Sequence, residues 1–216
     1  MTLTLYHGSK TGIDGDIRPC SRACCDFGCG FYLGTEKTQP QTLICNRENP
    51  RMYVCELEID GLRVHRFESS IEWAMFIAWN RGLIPDKFVP YYEARFKPIV
   101  SASDVIVGRI ADDRMVVVLD WFFNDFISDV GLLESLKALN LGDQYVCKTS
   151  AACRNVRILE ERMIRQDECS RWKVRAGNQR DYALKVVDRI RVVHRRDGEA
   201  FSDIMERETG LKRYDS

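Results

Sequence analysis

The sequence lacks an excess of charge of either sign. Lys plus Arg number 32 and Asp plus Glu number 32, so the formal net charge is zero. That balance argues against a protein that coats nucleic acid or anionic membrane by bulk charge. It also lacks any run approaching the roughly 18–20 apolar residues of a membrane-crossing helix, so no membrane partner is expected. The start, Met1-Thr2-Leu3-Thr4-Leu5-Tyr6-His7, has neither the basic segment nor the apolar stretch of a secretory signal, and a cytoplasmic location is expected. There is no internal repeat or low-complexity segment. There is no P-loop, no Gly-x-Ser-x-Gly elbow, no His-Glu-x-x-His helix and no dinucleotide-binding glycine fingerprint on a strand-to-helix turn. Histidine is scarce, with 3 in the chain, which restricts imidazole chemistry to His7, His65 and His194.

What is present suits a globular domain. Hydrophobic residues make up 45% of 216 positions, enough to bury a core. The 9 cysteines are odd in number, and without a secretory signal they are expected to be reduced. Four of them stand as Cys20-x3-Cys24-Cys25-x3-Cys29. No histidine lies nearby and the spacing is not a zinc knuckle repeated at a distance, so no metal is expected.

Alternation over residues 2–8 reads as a strand, followed by a loop over 9–29 rich in Gly, Cys, Asp, Ser and Pro. Gly30-Phe31-Tyr32-Leu33-Gly34 is a short strand, and Thr35–Arg47 a helix whose start Pro40 limits. Residues 52–59 and 62–67 read as two strands joined by Asp60-Gly61, a hairpin signal, with a one-sided loop not excluded. Ser69-Ser70-Ile71-Glu72 resembles a capped helix start, with Trp73, Phe76, Ile77 and Asn80 at helical spacing. A strand at 104–110, helices at about 112–126 and 129–139, and a strand at 144–148 come next. Beyond Arg157 the charge-rich segments 158–175 and 178–196 read as helices. The expected organisation is a domain over 1–157 and a helical C-terminal extension over 158–216, packed on the domain or on a regulatory partner.

His7 stands apart from the other histidines. It ends the first strand as Tyr6-His7-Gly8-Ser9, and Asp26-Phe27-Gly28-Cys29-Gly30-Phe31-Tyr32 comes about twenty residues later. These segments resemble the ADP-ribosyltransferases of the diphtheria-toxin and poly(ADP-ribose)-polymerase branch, which split NAD and move its ADP-ribose to an acceptor. Ile17-Arg18-Pro19 resembles a segment ahead of that second motif, and Asp143-Gln144-Tyr145-Val146-Cys147-Lys148 resembles the third, with Gln144 at the glutamate position. The pieces 6–9, 26–32, Asn80-Arg81, Ala111-Asp112-Asp113 and Gln144-Tyr145 also fit, in order, a bacterial family grouped with this superfamily. The resemblance covers roughly residues 3–160.

That resemblance implies an α+β fold with a split, mostly antiparallel β core, flanking helices and NAD in the cleft. It implies catalytic roles for His7, Tyr32 and Gln144, and NAD binding by His7, Gly8, Arg18, Phe27, Gly30, Tyr32, Asn80, Asp112 and Asp113. The chemistry suits these residue types. Nicotinamide leaves through a cationic, sugar-centred transition state, so the ligand must be positioned and the charge stabilised. Tyr32 can stack on the nicotinamide ring, Gly8 allows close backbone approach, His7 can meet a ribose hydroxyl, and Arg18 can meet the adenosine or pyrophosphate. Each has a plainer role beside it. Tyr32 suits a strand aromatic, Arg18 a surface arginine, Asn80 a helix end, and Asp112 and Asp113 a helix N-terminus. Two departures stand out: Gln144 is neutral where the branch has a carboxylate, and Leu43 sits where it has a second tyrosine. The expected activity is transfer of ADP-ribose to a macromolecule, a protein side chain first and a nucleic acid second, as in toxins or effectors delivered to another cell. NAD hydrolysis and a catalytically dead NAD- or partner-binding module are the alternatives.

Overall fold

The computed structural model describes residues 1–20, 24–110, 113–139 and 142–212, with Asp113 described by its backbone alone. It is a mixed α+β structure around one seven-stranded sheet. The strands are β1 (Thr2–Ser9), β2 (Phe31–Gly34), β3 (Arg51–Glu58), β4 (Val64–Arg66), β5 (Val105–Arg109), β6 (Asp143–Cys147) and β7 (Val156–Met163). Their order is β4-β5-β6-β2-β1-β3-β7, and every neighbouring pair is antiparallel except β4 with β5. The helices are α1 (Thr38–Ile44), α2 (Ile71–Arg81), α3 (Val89–Ala102), α4 (Asp113–Phe123), α5 (Asp129–Leu139), α6 (Ser150–Arg154), α7 (Gln166–Val193) and α8 (Phe201–Thr209).

Local signals explain α2. The Ser70 side chain accepts from the Trp73 N–H at 3.3 Å, and Gly82 closes the helix in the left-handed conformation at φ 70. Every residue from Trp73 to Ala78 is buried, so this helix is sunk in the core rather than laid on it.

Strand alternation divides the core between the two faces of the sheet. One face carries Ile106 and Val146 with Phe27, Trp73, Phe76, Phe96 and Phe122. The other carries Leu5, Phe31, Leu33, Tyr53, Tyr145 and Cys147. A smaller group, Ile44, Cys45, Met52, Ile164 and Cys169, joins α1 to β3 and α7.

Two expectations are corrected. The hairpin expected over 52–67 does not form, because β4 lies at the opposite side of the sheet from β3. The Asp60-Gly61 turn is present, with Gly61 at φ 77, but the chain after it is recruited elsewhere. Arg63 donates through its backbone N–H, Nε and Nη2 to the Asp104 carboxylate at 3.0, 2.9 and 3.1 Å, which draws the next residues alongside β5. Residues 158–163, expected to be helical, form most of β7, paired to β3 from Leu57↔Val156 to Arg51↔Met163. The boundary expected after residue 157 thus falls inside a strand. The helical reading holds from Gln166 onward, and Ala183, Val187, Phe201, Ile204 and Met205 enter the same core as α2 and α4.

Candidate functional site

The site is built where β1, β2 and β6 lie side by side. β1 is paired with β3 along its whole length, from Thr2↔Glu58 to Ser9↔Arg51, but it meets β2 at one pair, Tyr6↔Gly34. At the seam past that pair the imidazole of His7 bridges the strands, its Nδ1 lying 2.7 Å from the Tyr32 carbonyl oxygen. A carbonyl can only accept, so Nδ1 carries the proton, and in the neutral ring Nε2 is left as an acceptor. Burial lowers the His7 pKa from the ordinary histidine value, with the bond to Tyr32 opposing in part, which favours that neutral ring. The ring stacks on Phe31 at 4.3 Å between centroids, near Tyr53 at 6.0 Å.

Tyr32 and Gln144 face the other way. Tyr32 packs with the α2 side of the core, and His7 touches it only through its main chain. The Tyr32 hydroxyl accepts from the Phe27 N–H at 3.0 Å and donates to the Gly28 carbonyl at 2.7 Å. This hydroxyl ties the Phe27-Gly28 turn to the sheet, and what it can offer a ligand is the ring. Burial pushes its pKa up, in keeping with that structural commitment.

Gln144 is 6% exposed, opposite Gly34 on β2 and Gly108 on β5. The space beside those glycines is filled by Phe27 and Trp73 at Gly108 and by Ile110 at Gly34. Its Nε2 donates to the Arg109 carbonyl at 3.4 Å. Asp143, one residue earlier, turns to the opposite face and pairs with Arg66 at 2.7 Å and Arg109 at 3.3 Å.

The structure adds residues to which the sequence reading gave no role. Asp26 and Arg81 form an ion pair with contacts of 2.8 Å from Nε and 2.7 Å from Nη2, each side chain 18% exposed. Two motif fragments 55 residues apart are thereby joined. Burial pushes the Asp26 carboxyl up from its ordinary range, and the neighbouring Arg81 guanidinium pulls it back in part. Lys148 donates to the Phe27 carbonyl at 2.5 Å, and burial lowers its pKa. The available signal was an arginine ending a helix whose centre, Trp73 to Ala78, is entirely apolar, and an aspartate directly before Phe-Gly.

The remaining expected site residues divide. Gly8 is glycine for packing: a Cβ there would stand 2.9 Å from the Pro40 Cβ and 3.0 Å from both the Ile44 Cγ2 and the Pro40 carbonyl. Gly30 is pressed on Val146 and the Cys147 carbonyl of β6. Phe27, expected to bind the ligand, has its ring fully buried among Phe67 and Phe76, where Gly108 makes room for it. A buried ring cannot line a cleft. The Asn80 amide donates to the Phe76 carbonyl at 2.9 Å, a bond within its own helix, while its Oδ1 lies against Gly28. Arg18 is exposed in the loop after β1. Asp112 lies outside the described residues, and Asp113 is the first residue of α4. Among the described residues there is no cluster of three or more His, Cys, Asp or Glu suited to a metal, and no helix long and apolar enough to cross a membrane. Two surface hollows, one beside Pro90, Glu93 and Lys97 and one beside Trp172 and Arg175, include none of the residues above.

A family model described as "Protein of unknown function (DUF3990)" matches residues 3–158. The chain belongs to that family. The DUF3990 match contains His7, Asp26, Tyr32, Arg81, Gln144 and Lys148, and it ends within β7, before α7 and α8. No curated protein and no solved structure matches the chain.

Proposed function

We propose that this protein binds NAD at the seam between β1 and β2 and transfers its ADP-ribose to a protein side chain, releasing nicotinamide. The observation that carries the reading is a pair of fixed, neutral acceptors on either side of β2. His7 and Gln144 each commit a donor nitrogen to a backbone carbonyl, which leaves Nε2 of His7 and Oε1 of Gln144 to accept. Ribose hydroxyls are donors, and NAD carries two riboses. The Tyr32 ring, on the sheet face that Gln144 shares two residues along, supplies an apolar face for nicotinamide, and the exposed Arg18 guanidinium suits the pyrophosphate. In the transfer the bond between nicotinamide and its ribose breaks, nicotinamide leaving with the electron pair. An acceptor nucleophile then bonds to that ribose carbon and loses its proton. Gln144 holds the ribose by a hydrogen bond and supplies no charge. Since a full charge at about 4 Å is worth about 4 kcal/mol at an effective dielectric of about 20, the rate should be modest beside that of glutamate-bearing enzymes.

The neutrality of Gln144 also favours a second reading, an NAD-binding module without turnover. Labelled NAD with purified protein and cell lysate separates the two. Label on protein supports transfer, nicotinamide without label supports hydrolysis, and binding with neither supports the module. Absence of NAD binding would overturn the reading. In the transferase case Gln144→Ala abolishes labelling.

A further inference from the structure

We propose that Cys20 and Cys29 are a reversible redox pair, a modification site at which oxidised glutathione or a similar small disulfide bonds the loop after β1 to the turn before β2. The bond itself does not depend on the proposed function; its effect on the ligand does.

The 9 cysteines divide by exposure. Cys45, Cys55, Cys147, Cys153 and Cys169 are buried, out of reach of a bulky oxidant. Cys20, Cys24 and Cys29 are exposed and Cys25 is half-buried, and all four lie between β1 and β2. Within this group one thiol is seated on the backbone beside another. The Cys29 Sγ donates to the Pro19 carbonyl at 2.9 Å. That oxygen and the Cys20 Cα belong to one peptide plane and stand about 3 Å apart by standard bond lengths. The Cys29 sulfur therefore lies within about 6 Å of the Cys20 Cα. Rotation of the two side chains with a small shift of the loop brings them to a disulfide, whose Cα atoms stand about 4.4–6.8 Å apart.

Cys29 is placed to attack first. It sits between Gly28 and Gly30, and Lys148 runs along that turn, its Nζ 3.4 Å and Cδ 3.5 Å from where Cβ atoms would stand on those two glycines. A nearby ammonium favours the thiolate, which is the nucleophile. The turn is also firmly seated. The Tyr32 hydroxyl holds the Phe27 N–H and the Gly28 carbonyl, and Lys148 holds the Phe27 carbonyl.

The exchange balances without a metal or further cofactor. The Cys29 thiolate attacks one sulfur of oxidised glutathione, forming a mixed disulfide and releasing one glutathione thiolate. The Cys20 thiolate then attacks the Cys29 sulfur and releases the second. The protein thiols lose two electrons and two protons, and two reduced glutathiones gain them. Excess reduced glutathione runs the steps backward. The covalent bond replaces the thiol-to-carbonyl contact in the same place, so it fixes Arg18 relative to the turn seated on Tyr32. Where Arg18 meets the pyrophosphate and Tyr32 the nicotinamide, such a staple preorganises the site and NAD binds more tightly.

The test treats the whole folded protein with oxidised glutathione, blocks the remaining thiols and maps disulfides by mass spectrometry of its peptides. A Cys20–Cys29 cross-link that excess reduced glutathione removes is the expected result. Cys20→Ser should stop at a glutathione mixed disulfide on Cys29. A cross-link through Cys24 or Cys25 instead, or no cross-link in the folded protein, would overturn the proposal. NAD titration is the second readout. The oxidised wild type should bind about threefold tighter than the reduced form, a difference that the Cys20→Ser/Cys29→Ser double variant lacks. Equal affinity in the two redox states contradicts the coupling to the ligand. If neither state binds NAD while the cross-link forms, the nucleotide reading fails and the redox pair stands.

Discussion

β1 is held differently on its two sides. Toward β3 it is a complete antiparallel ladder; toward β2 it has the single pair Tyr6↔Gly34, and a side chain, His7, bridges the gap beyond. The ladder side uses backbone donors and acceptors on one another. On the seam side, contacts made by His7, Tyr32 and Gln144 tie main chain to side chain and leave acceptors unspent. Ordinary ladders satisfy their polar groups internally and have little to offer a ligand. An interrupted one offers fixed polar groups in known orientations, which is what recognition of a polyhydroxyl ligand requires.

The largest effect that would sharpen this contrast is expected at Arg81. Arg81→Ala leaves the part-buried Asp26 carboxylate unpaired, and since removal of one partner of a fully buried pair costs about 3–5 kcal/mol, the loss here should approach the lower end of that range. Chemical denaturation should show it as a clear drop in midpoint. The matching change on the ladder side, Glu161→Gln, disturbs only the exposed pair with Arg51 and should leave the midpoint nearly where it was. Equal losses from the two would break the comparison.

Smaller losses are expected from Tyr32→Phe and Gly8→Ala. The first strips a partner from both the Phe27 N–H and the Gly28 carbonyl, and unmade bonds of that kind cost about 1–3 kcal/mol. The second forces a methyl group onto Pro40 and Ile44, overpacking worth about 1–3 kcal/mol. Thermal unfolding measures both. A Gly8→Ala protein as stable as wild type would show that α1 is not seated on β1 as described.

The smallest effect concerns pH. The folded-state pKa of His7 lies below its unfolded value of about 6.5, so on the acid side the unfolded chain binds more protons at this residue. Its contribution is fully present above pH ~6.5 and is lost as pH falls through the folded value. Asp26, with a raised pKa, works in the opposite sense. Comparison with His7→Gln isolates the histidine: the variant should lose stability less steeply below pH ~6.5. Parallel stability curves would show that His7 is not the neutral bridge.

Much of the sheet was legible in the sequence because its signals are local. Residues 2–8, 30–34 and 144–148 alternate or are bounded by glycine, and Ser70 announces α2. The failures come from information that is not local. Asp60-Gly61 specifies a turn, whereas the partner of the strand after it is decided by Asp104, 41 residues beyond Arg63. β7 is an edge strand whose middle is exposed on both faces, so Val-Arg-Ile-Leu-Glu-Glu-Arg-Met shows no inward-facing alternation and reads as charge-rich helix. Within the site, His7, Tyr32 and Gln144 could be picked out as residues. That alternation sets His7 on one face and the other two on the opposite face could not be read without the register. Asp26 and Arg81 stood in motif fragments with no visible reason to meet.

The central claim is that the seam between β1 and β2 is a nucleotide-binding site. Hydrogen–deuterium exchange with and without NAD tests it most directly. The account predicts that NAD slows exchange at residues 6–8, 26–34 and 143–147 and leaves the β3–β7 ladder unchanged. Protection confined to other segments, or none at saturating NAD, would contradict it.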